Sequence, residues 1–190
     1  STSELYKFTT MKLSVFLLIV ITNCLLSPAE AQSKRKLYYS PSWEITKLDS
    51  AYYYRICTLD TINYHFIGEV TDYYLLSDQV VMRGRYDNSG KKNGEFTLYY
   101  DDGQVESTGE FKDDKRFGLW KYYFPNGKIW REVTFSAEDF FVNALYDETG
   151  KTQIKDGTGR WLYKYVDPII SKIILVEGSF TEGKKEGKWR

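Results

Sequence analysis

Cysteine is almost missing from this chain: Cys24 and Cys57 are its only two in 190 residues. A disulfide framework of the kind that staples small secreted domains is therefore excluded. Histidine occurs once, as His65, so a site built from several imidazoles at metal-ligand spacing is excluded as well. No excess charge of one sign exists. Lys plus Arg number 26 and Asp plus Glu number 26, for a net charge of zero. That removes the usual electrostatic case for nucleic acid or an anionic membrane surface. No apolar run approaches the roughly 20 residues that span a bilayer. Capped helical runs are also scarce, and the best of them, Ser136 to Phe141, predicts a helical turn or two at most.

The longest apolar run, Leu13 to Ile21, follows Met11 and Lys12 and precedes Ser27-Pro28 and Ala29-Glu30-Ala31. A basic residue, a short apolar stretch and an A-x-A site form the pattern of a secretory signal cleaved after Ala31. A buried core helix is the alternative, and it accounts for neither flank. Residues 1–10 read as an upstream extension and 11–31 as a signal-peptide helix. Cys24 invites a lipoprotein reading, but Asn23 is a poor fit for the small residue such a signal needs before its cysteine. The expected location is exported: periplasmic, outer-membrane-associated or extracellular. After cleavage one thiol remains, Cys57, and no intrachain disulfide can form. The basic cluster Lys34-Arg35-Lys36 would then be a solvated terminus.

What the chain has in abundance is aromatic residues. Seventeen Tyr, eleven Phe and five Trp make up 17% of it, and such residues favour strands. Glycines punctuate them at a fixed interval. Gly84 to Gly109 is 25 residues, while Gly94 to Gly118 and Gly103 to Gly127 are each 24. The recurring unit is G-x-F/Y, a polar stretch, G-x-F/W-x-x-Y-Y, a short turn, then a glycine and a mixed strand. Asp101-Asp102-Gly103 and Pro125-Asn126-Gly127 predict hairpin turns. Outgoing strands would place Phe96, Leu98 and Tyr100 on one face, matched by Trp120, Tyr122 and Phe124 in the next unit. Return strands would offer Val105, Ser107, Gly109 and Phe111, matched by Ile129, Arg131, Val133 and Phe135.

Weaker copies flank the clear ones. Gly68 to Tyr74 with Val80 to Gly84 reads as one hairpin. Gly159 to Tyr163 with Lys172 to Gly178 reads as another, reached through a turn containing Pro168. Tyr146 to Gly150 and Lys155 to Gly157 mark an insertion between units. Gly178-Ser179-Phe180 and Gly187-Lys188-Trp189 open a last copy whose outgoing strand lacks a return partner. The expected organisation is a Tyr-rich β segment over 32–67, then repeats at about 68–93, 94–117, 118–146 and 159–186 with a partial copy to 190. A lone hairpin is marginal in water, so each unit would depend on burying its aromatic face against the next. The residues expected to carry this structure are Gly84, Gly94, Gly103, Gly109, Gly118, Gly127, Gly159, Gly178 and Gly187, with Phe96, Tyr99, Tyr100, Trp120, Tyr122, Tyr123, Trp161, Tyr163 and Trp189.

The segments Gly94 to Tyr100, Gly118 to Tyr123 and Gly183 to Trp189 carry a motif that resembles the MORN-repeat variant family of bacteria, whose members are often labelled YwqK-family antitoxins. The likeness covers about 68–190. Tyr38-Tyr39 and Ala51 to Arg55 resemble the N-terminal segment of secreted members from Bacteroidetes-type bacteria. The resemblance implies an all-β chain folded as an elongated antiparallel sheet of successive hairpins. It implies neither an enzyme nor a working antitoxin, and a secretory signal is at odds with a cytoplasmic partner of a toxin.

Chemistry-bearing motifs are few. Cys57 and His65 could face each other across the Asp60–Asn63 turn as a nucleophile pair, though a structural role for His65 is the simpler expectation. Asp101-Asp102, Asp113-Asp114 and Glu138-Asp139 could supply an acid and a base, but two of the three fall in repeat turns, where Asp serves local hydrogen bonds. Asp87 to Gly90 and Asp147 to Gly150 echo calcium loops, yet Lys91 and Lys151 stand where an oxygen ligand is required. Gly157-Thr158-Gly159 lacks the strand–loop–helix setting of a phosphate-binding loop.

The expectation is a non-enzymatic scaffold with no cofactor or metal. Its partner would be another protein, with no nucleic acid and no membrane contact beyond the signal. The rival expectation is a ligand module whose exposed Tyr and Trp hold a glycan or a choline-like group; choline-binding repeats also use short Gly-, Trp- and Tyr-rich hairpins. An antitoxin-type role is a third. Exposure of Trp120, Tyr122, Trp161 and Tyr163 around a hollow would favour the ligand module, and their burial under a neighbouring strand the scaffold.

Overall fold

The computed structural model describes residues 32–167 and 172–189. The expected signal helix and Pro168 lie outside the described residues. Thirteen strands follow one another: β1 (Gln32–Tyr39), β2 (Tyr53–Asp60), β3 (His65–Tyr74), β4 (Val80–Tyr86), β5 (Gly94–Tyr99), β6 (Val105–Lys112), β7 (Lys115–Tyr123), β8 (Ile129–Phe135), β9 (Phe140–Tyr146), β10 (Thr152–Lys155), β11 (Thr158–Asp167), β12 (Lys172–Thr181) and β13 (Lys184–Glu186). They form a single open sheet whose spatial order is the order of the sequence. Adjacent strands run antiparallel, as in the β5–β6 and β7–β8 hairpins. The only helical element among the described residues is a short 3-10 turn, Leu48–Ser50. Ser136 to Phe141, expected as a helical turn, instead makes a tight reversal. Ser136 donates its backbone N–H to the Asp139 carbonyl at 2.8 Å, and β9 begins at Phe140.

One face of the sheet is aromatic and buried, the other polar. Ring contacts run unbroken from Phe66 through Tyr86, Phe96, Phe111, Trp120 and Tyr122 to Trp130, with centroids 4.8–6.5 Å apart. They continue through Tyr163, Trp161 and Trp189 to Phe180. Trp120, Phe96 and Val70 are almost fully buried. The opposite face carries Thr97 against Thr108 and the ion pair Lys121–Glu132. Such alternation is what a period of two imposes on a sheet with one dry side.

Glycine is kept for two separate reasons. Gly103 and Gly127 take positive φ values of 85° and 78° in the turns that close β5–β6 and β7–β8, a region costly for side chains with a Cβ. Gly84, Gly109 and Gly178 lie within strands, and each is covered by an aromatic ring from farther along the chain: Phe96 on β5, Trp120 on β7, and Trp189 just past β13. A Cβ at these positions would come as close as 2.2, 2.4 and 2.3 Å to Phe96, Trp120 and Trp189 atoms respectively. The ring and the missing side chain thus form one packing unit, repeated along the sheet.

The return strands depart from simple alternation. Register slips by one residue after each of three turns: Asp72 pairs with Met82 and Tyr73 with Val80, Leu98 with Ser107 and Tyr99 with Val105, Tyr122 with Arg131 and Tyr123 with Ile129. Val81, Glu106 and Trp130 are the extra residues of these bulges. Val105 and Ile129, expected on the core face, therefore pair with Tyr99 and Tyr123, one register step off the Ser107 and Arg131 positions. The bulge instead turns Trp130 toward Tyr122 and Phe124 on the aromatic side. The last copy is also shorter than expected. β13 ends at Glu186, and Gly187-Lys188-Trp189 is not a strand, although Trp189 still covers Gly178.

The insertion between units is part of the sheet, since it supplies β10. Because β10 is short, the start of β9 is completed by the turn between β12 and β13. Val142 donates to the Gly183 carbonyl at 3.0 Å, and Gly183 donates to Gly157 at 2.9 Å. Lys184 adds contacts to Asp139 and to the Phe140 carbonyl. This clasp folds the C-terminal strands back on β9.

Candidate functional site

The array is regular through β7 and irregular at β8. Ser107 on β6 faces Tyr122 on β7; in the next unit Arg131 faces Leu145. Gly109 lies under Trp120, whereas Val133 pairs with Val142. Two branched aliphatic residues thus replace a glycine and an indole, and a cation replaces a serine. Aliphatic side chains fill less space than the indole did. A cavity of about 430 Å3 opens there, floored by Val133, Val142 and Leu145 and walled by Tyr122, Trp130, Trp161 and Tyr163, within the size range of small-molecule sites. Trp161 and Tyr163 stack at 5.7 Å and 14° on its outer wall, and Tyr163 keeps 36% of its surface.

Three cations and no carboxylate line the cavity: Arg116, Arg131 and Lys185. The Arg131 guanidinium sits 4.1 Å from the Tyr122 ring centre and 4.4 Å from that of Trp130. Its Nε is buried without a hydrogen-bond acceptor. Burial holds Arg131 below its ordinary pKa, and the like charge of Arg116 acts in the same direction. Burial raises the Tyr122 phenol, while Arg116 and Arg131 pull it the other way. Arg116 reaches over Trp120, Tyr122 and Phe135, and Lys185 over Trp189. The indole Nε1 of Trp189 is another buried donor without a partner. A site lined by cations, with one buried unmet donor and no carboxylate, attracts anions.

The four residues chosen to discriminate scaffold from ligand module divide. Trp120 and Tyr122 are buried, at 0% and 7% exposure. Trp161 and Tyr163 are partly open and border the cavity. Tyr100 donates its hydroxyl to the Tyr123 carbonyl at 2.6 Å, tying one hairpin turn to the next. Tyr99 and Tyr123 are half-buried on the other face. Gly94 opens β5, Gly118 lies within β7, and Gly187 follows β13. Gly159, in β11, has the Gln153 carbonyl where a Cβ would stand. Sequence reading missed Trp130, Arg116 and Lys185 as cavity residues and treated Arg131 as one more core-face position. The available signal was alignment of the units, which sets Arg131 against Met82 and Ser107.

A second surface lies at the turn end of β1–β4. Tyr39, Trp43, Tyr52, Tyr53 and Tyr74 form a ring cluster, with Trp43 and Tyr53 stacked at 4.3 Å. Around it Trp43, Ile45, Leu48, Tyr52 and Leu76 are exposed, Leu76 at 97%. Tyr52 donates to Tyr39 and accepts from Leu75 through the backbone, so these loops are fixed to one another.

The polar motifs resolve into structural roles. Cys57 is 2% exposed on the core side, and burial raises its pKa. His65 instead sits 3.2 Å from the Asn88 carbonyl and 3.7 Å from Asp60, and pairs across the sheet with Asp60. The Cys57–His65 dyad is not assembled. Asp87 Oδ1 accepts from Ser89 N and Oγ and from Lys91 N, and Asp147 Oδ1 accepts from Thr149 and Lys151 in the same way. These hydrogen bonds hold both carboxyls below their usual pKa range, Asp87 well below it. The echo of a calcium loop is therefore a self-capped turn. Asp102 accepts from Gln104, Asp114 from Lys92 and Asp139 from Phe140. No group of three or more metal-ligating side chains occurs among the described residues.

A family model described as MORN repeat variant matches residues 92–113 and 118–137. These stretches begin just before β5 and at Gly118 in β7, and so cover the two most regular hairpins. No curated protein and no solved structure matches the chain. Among the described residues, no helix is long and apolar enough to cross a membrane.

Proposed function

We propose that the chain is a non-enzymatic, exported repeat protein that works as a protein-interaction scaffold in the cell envelope. The observation that carries this reading is the exposed apolar cluster of Trp43, Ile45, Leu48, Tyr52 and Leu76. Contiguous apolar surface rimmed by polar residues marks an interaction site. Here it is held on loops that hydrogen-bond to one another at the turn end of β1–β4. MORN repeats are often protein-interaction modules, and the match at 92–137 is compatible with that role. Export rests on the Met11 to Ala31 pattern.

Photo-crosslinking tests the reading. A crosslinking side chain at Leu76, in protein expressed in its own host, should give one discrete adduct in the envelope fraction. The same group at Thr97, on the polar face, should give none, and Trp43→Ser should abolish the Leu76 adduct. Equal labelling from both positions, or recovery of the protein in the cytoplasm, would sink the proposal.

The partly open Trp161 and Tyr163 around a cavity favour a second reading, a module that binds a glycan or a choline-like group on aromatic rings. The cations in that cavity bear on which ligand it would take.

A further inference from the structure

We propose that the β7–β13 cavity binds a small organic anion, a carboxylate carried on an aromatic or aliphatic body. The inference keeps the cavity of the second reading and reverses the charge of its ligand. Four observations lead to it. The volume, about 430 Å3, suits one small molecule. The lining is chiefly aromatic and aliphatic, from Val133, Leu145, Trp130 and Trp161, which suits an apolar body.

The charged groups are all donors. Arg116, Arg131 and Lys185 border the space, and among the described residues none of them forms an ion pair with a carboxylate. Arg131 is the most telling. Its Nε is buried and unpaired, and its guanidinium is held between Tyr122 and Trp130. A buried donor with no acceptor is costly unless something else satisfies it. The guanidinium fork matches a carboxylate through two parallel hydrogen bonds. These two flanking rings hold the fork in place before a ligand arrives, which lowers the entropy lost on binding.

The fourth observation is position. Arg131 occupies the register place held by Met82 and Ser107 in the preceding units. The same unit gives up the glycine–indole packing that would have filled the cavity. The charge and the space thus arise together, in one repeat. A quaternary ammonium ligand would meet the same rings but three like charges, so a choline-like occupant is disfavoured.

The test is titration of the processed chain, followed by tryptophan fluorescence, with four probes. These are phenylacetate, acetate, 2-phenylethanol and phenyltrimethylammonium. The expected result is saturable binding of phenylacetate, at least tenfold weaker responses to the other three, and a rise in Tm with phenylacetate alone. Arg131→Met should not lower the Tm of the free protein, because it removes a half-buried cation whose Nε has no acceptor, and it should weaken phenylacetate at least tenfold. If that variant fails to fold, the exposed Arg116→Gln should fold normally and weaken phenylacetate at least threefold. The proposal is overturned if phenylacetate gives no saturable change, or if folded variants bind it like the parent. It is overturned too if 2-phenylethanol or acetate matches it. A preference for phenyltrimethylammonium would reject the anion and support the choline-like reading. None of these outcomes touches the Leu76 crosslinking result.

Discussion

The indole of Trp120 closes over Gly109 on the neighbouring strand: its ring atoms lie 2.4–2.6 Å from where a Cβ on Gly109 would stand. Its Nε1 donates to the carbonyl of Glu110 at 2.9 Å. The ring is thus held from two sides, by the space a glycine leaves and by a backbone acceptor one residue on.

Gly109→Ala should therefore act as overpacking, at a cost of about 1–3 kcal/mol. Gly103→Ala is the control. Nothing lies within 4 Å of its Cβ position, but its φ is +85°, so the penalty is backbone strain, about 1 kcal/mol. Urea unfolding followed by tryptophan fluorescence separates the two. A loss at Gly103 larger than at Gly109 would contradict the packing account.

A different kind of contact joins the first strands. Arg55 reaches Asp72 with two hydrogen bonds, 2.7 and 2.8 Å long, beneath the Tyr39 and Phe66 rings. Asp72 is 1% exposed. Arg55→Met should cost about 3–5 kcal/mol, because it strands a buried carboxylate. Arg55→Met combined with Asp72→Leu should recover most of that loss. A double variant as unstable as the single one would show that the pair does more than neutralise itself.

The capped turns at Asp87 and Asp147 give a pH dependence. Both carboxyls titrate below their ordinary value of 3.8 in the folded chain. A depressed folded pKa contributes stability above the unfolded value, and that contribution is lost as the pH falls through the folded one. The difference in unfolding free energy between the native chain and Asp87→Ala/Asp147→Ala should be constant from pH 7 to about pH 5. It should then shrink below about pH 4. A difference that grows on acidification would reverse the assignment.

Cys57, buried and with its pKa raised by burial, should resist a maleimide in a folded Cys24→Ser chain, where it is the only thiol, and react at once in 6 M guanidinium. Only the thiolate attacks, and it is both disfavoured and inaccessible here. Labelling of the folded chain at the rate of a free thiol would show that β1 and β2 open readily. Ellman's reagent offers an independent readout.

Much of this architecture could be read from residues alone. The 24-residue interval, the Asp-Asp-Gly and Pro-Asn-Gly turns and the aromatic alternation are local signals, and they predict hairpins in sequence order because short turns permit little else. What the letters could not show was which neighbour a glycine serves. Gly103 is needed for its own backbone angle, whereas Gly109 is needed because Trp120 arrives from another strand. Alternation also failed at Trp130, since a single-residue bulge is set by the pairing of two strands and turns both Trp130 and Arg131 to one side. The cavity has the same origin. Val133 and Arg131 are ordinary letters in a strand pattern, and only the register against Val142 and Leu145 makes them a floor and an unpaired charge. Local chemistry determined the hairpins; the tertiary structure decided where they fail to fill their own core, because packing is a property of pairs that sequence spacing does not encode.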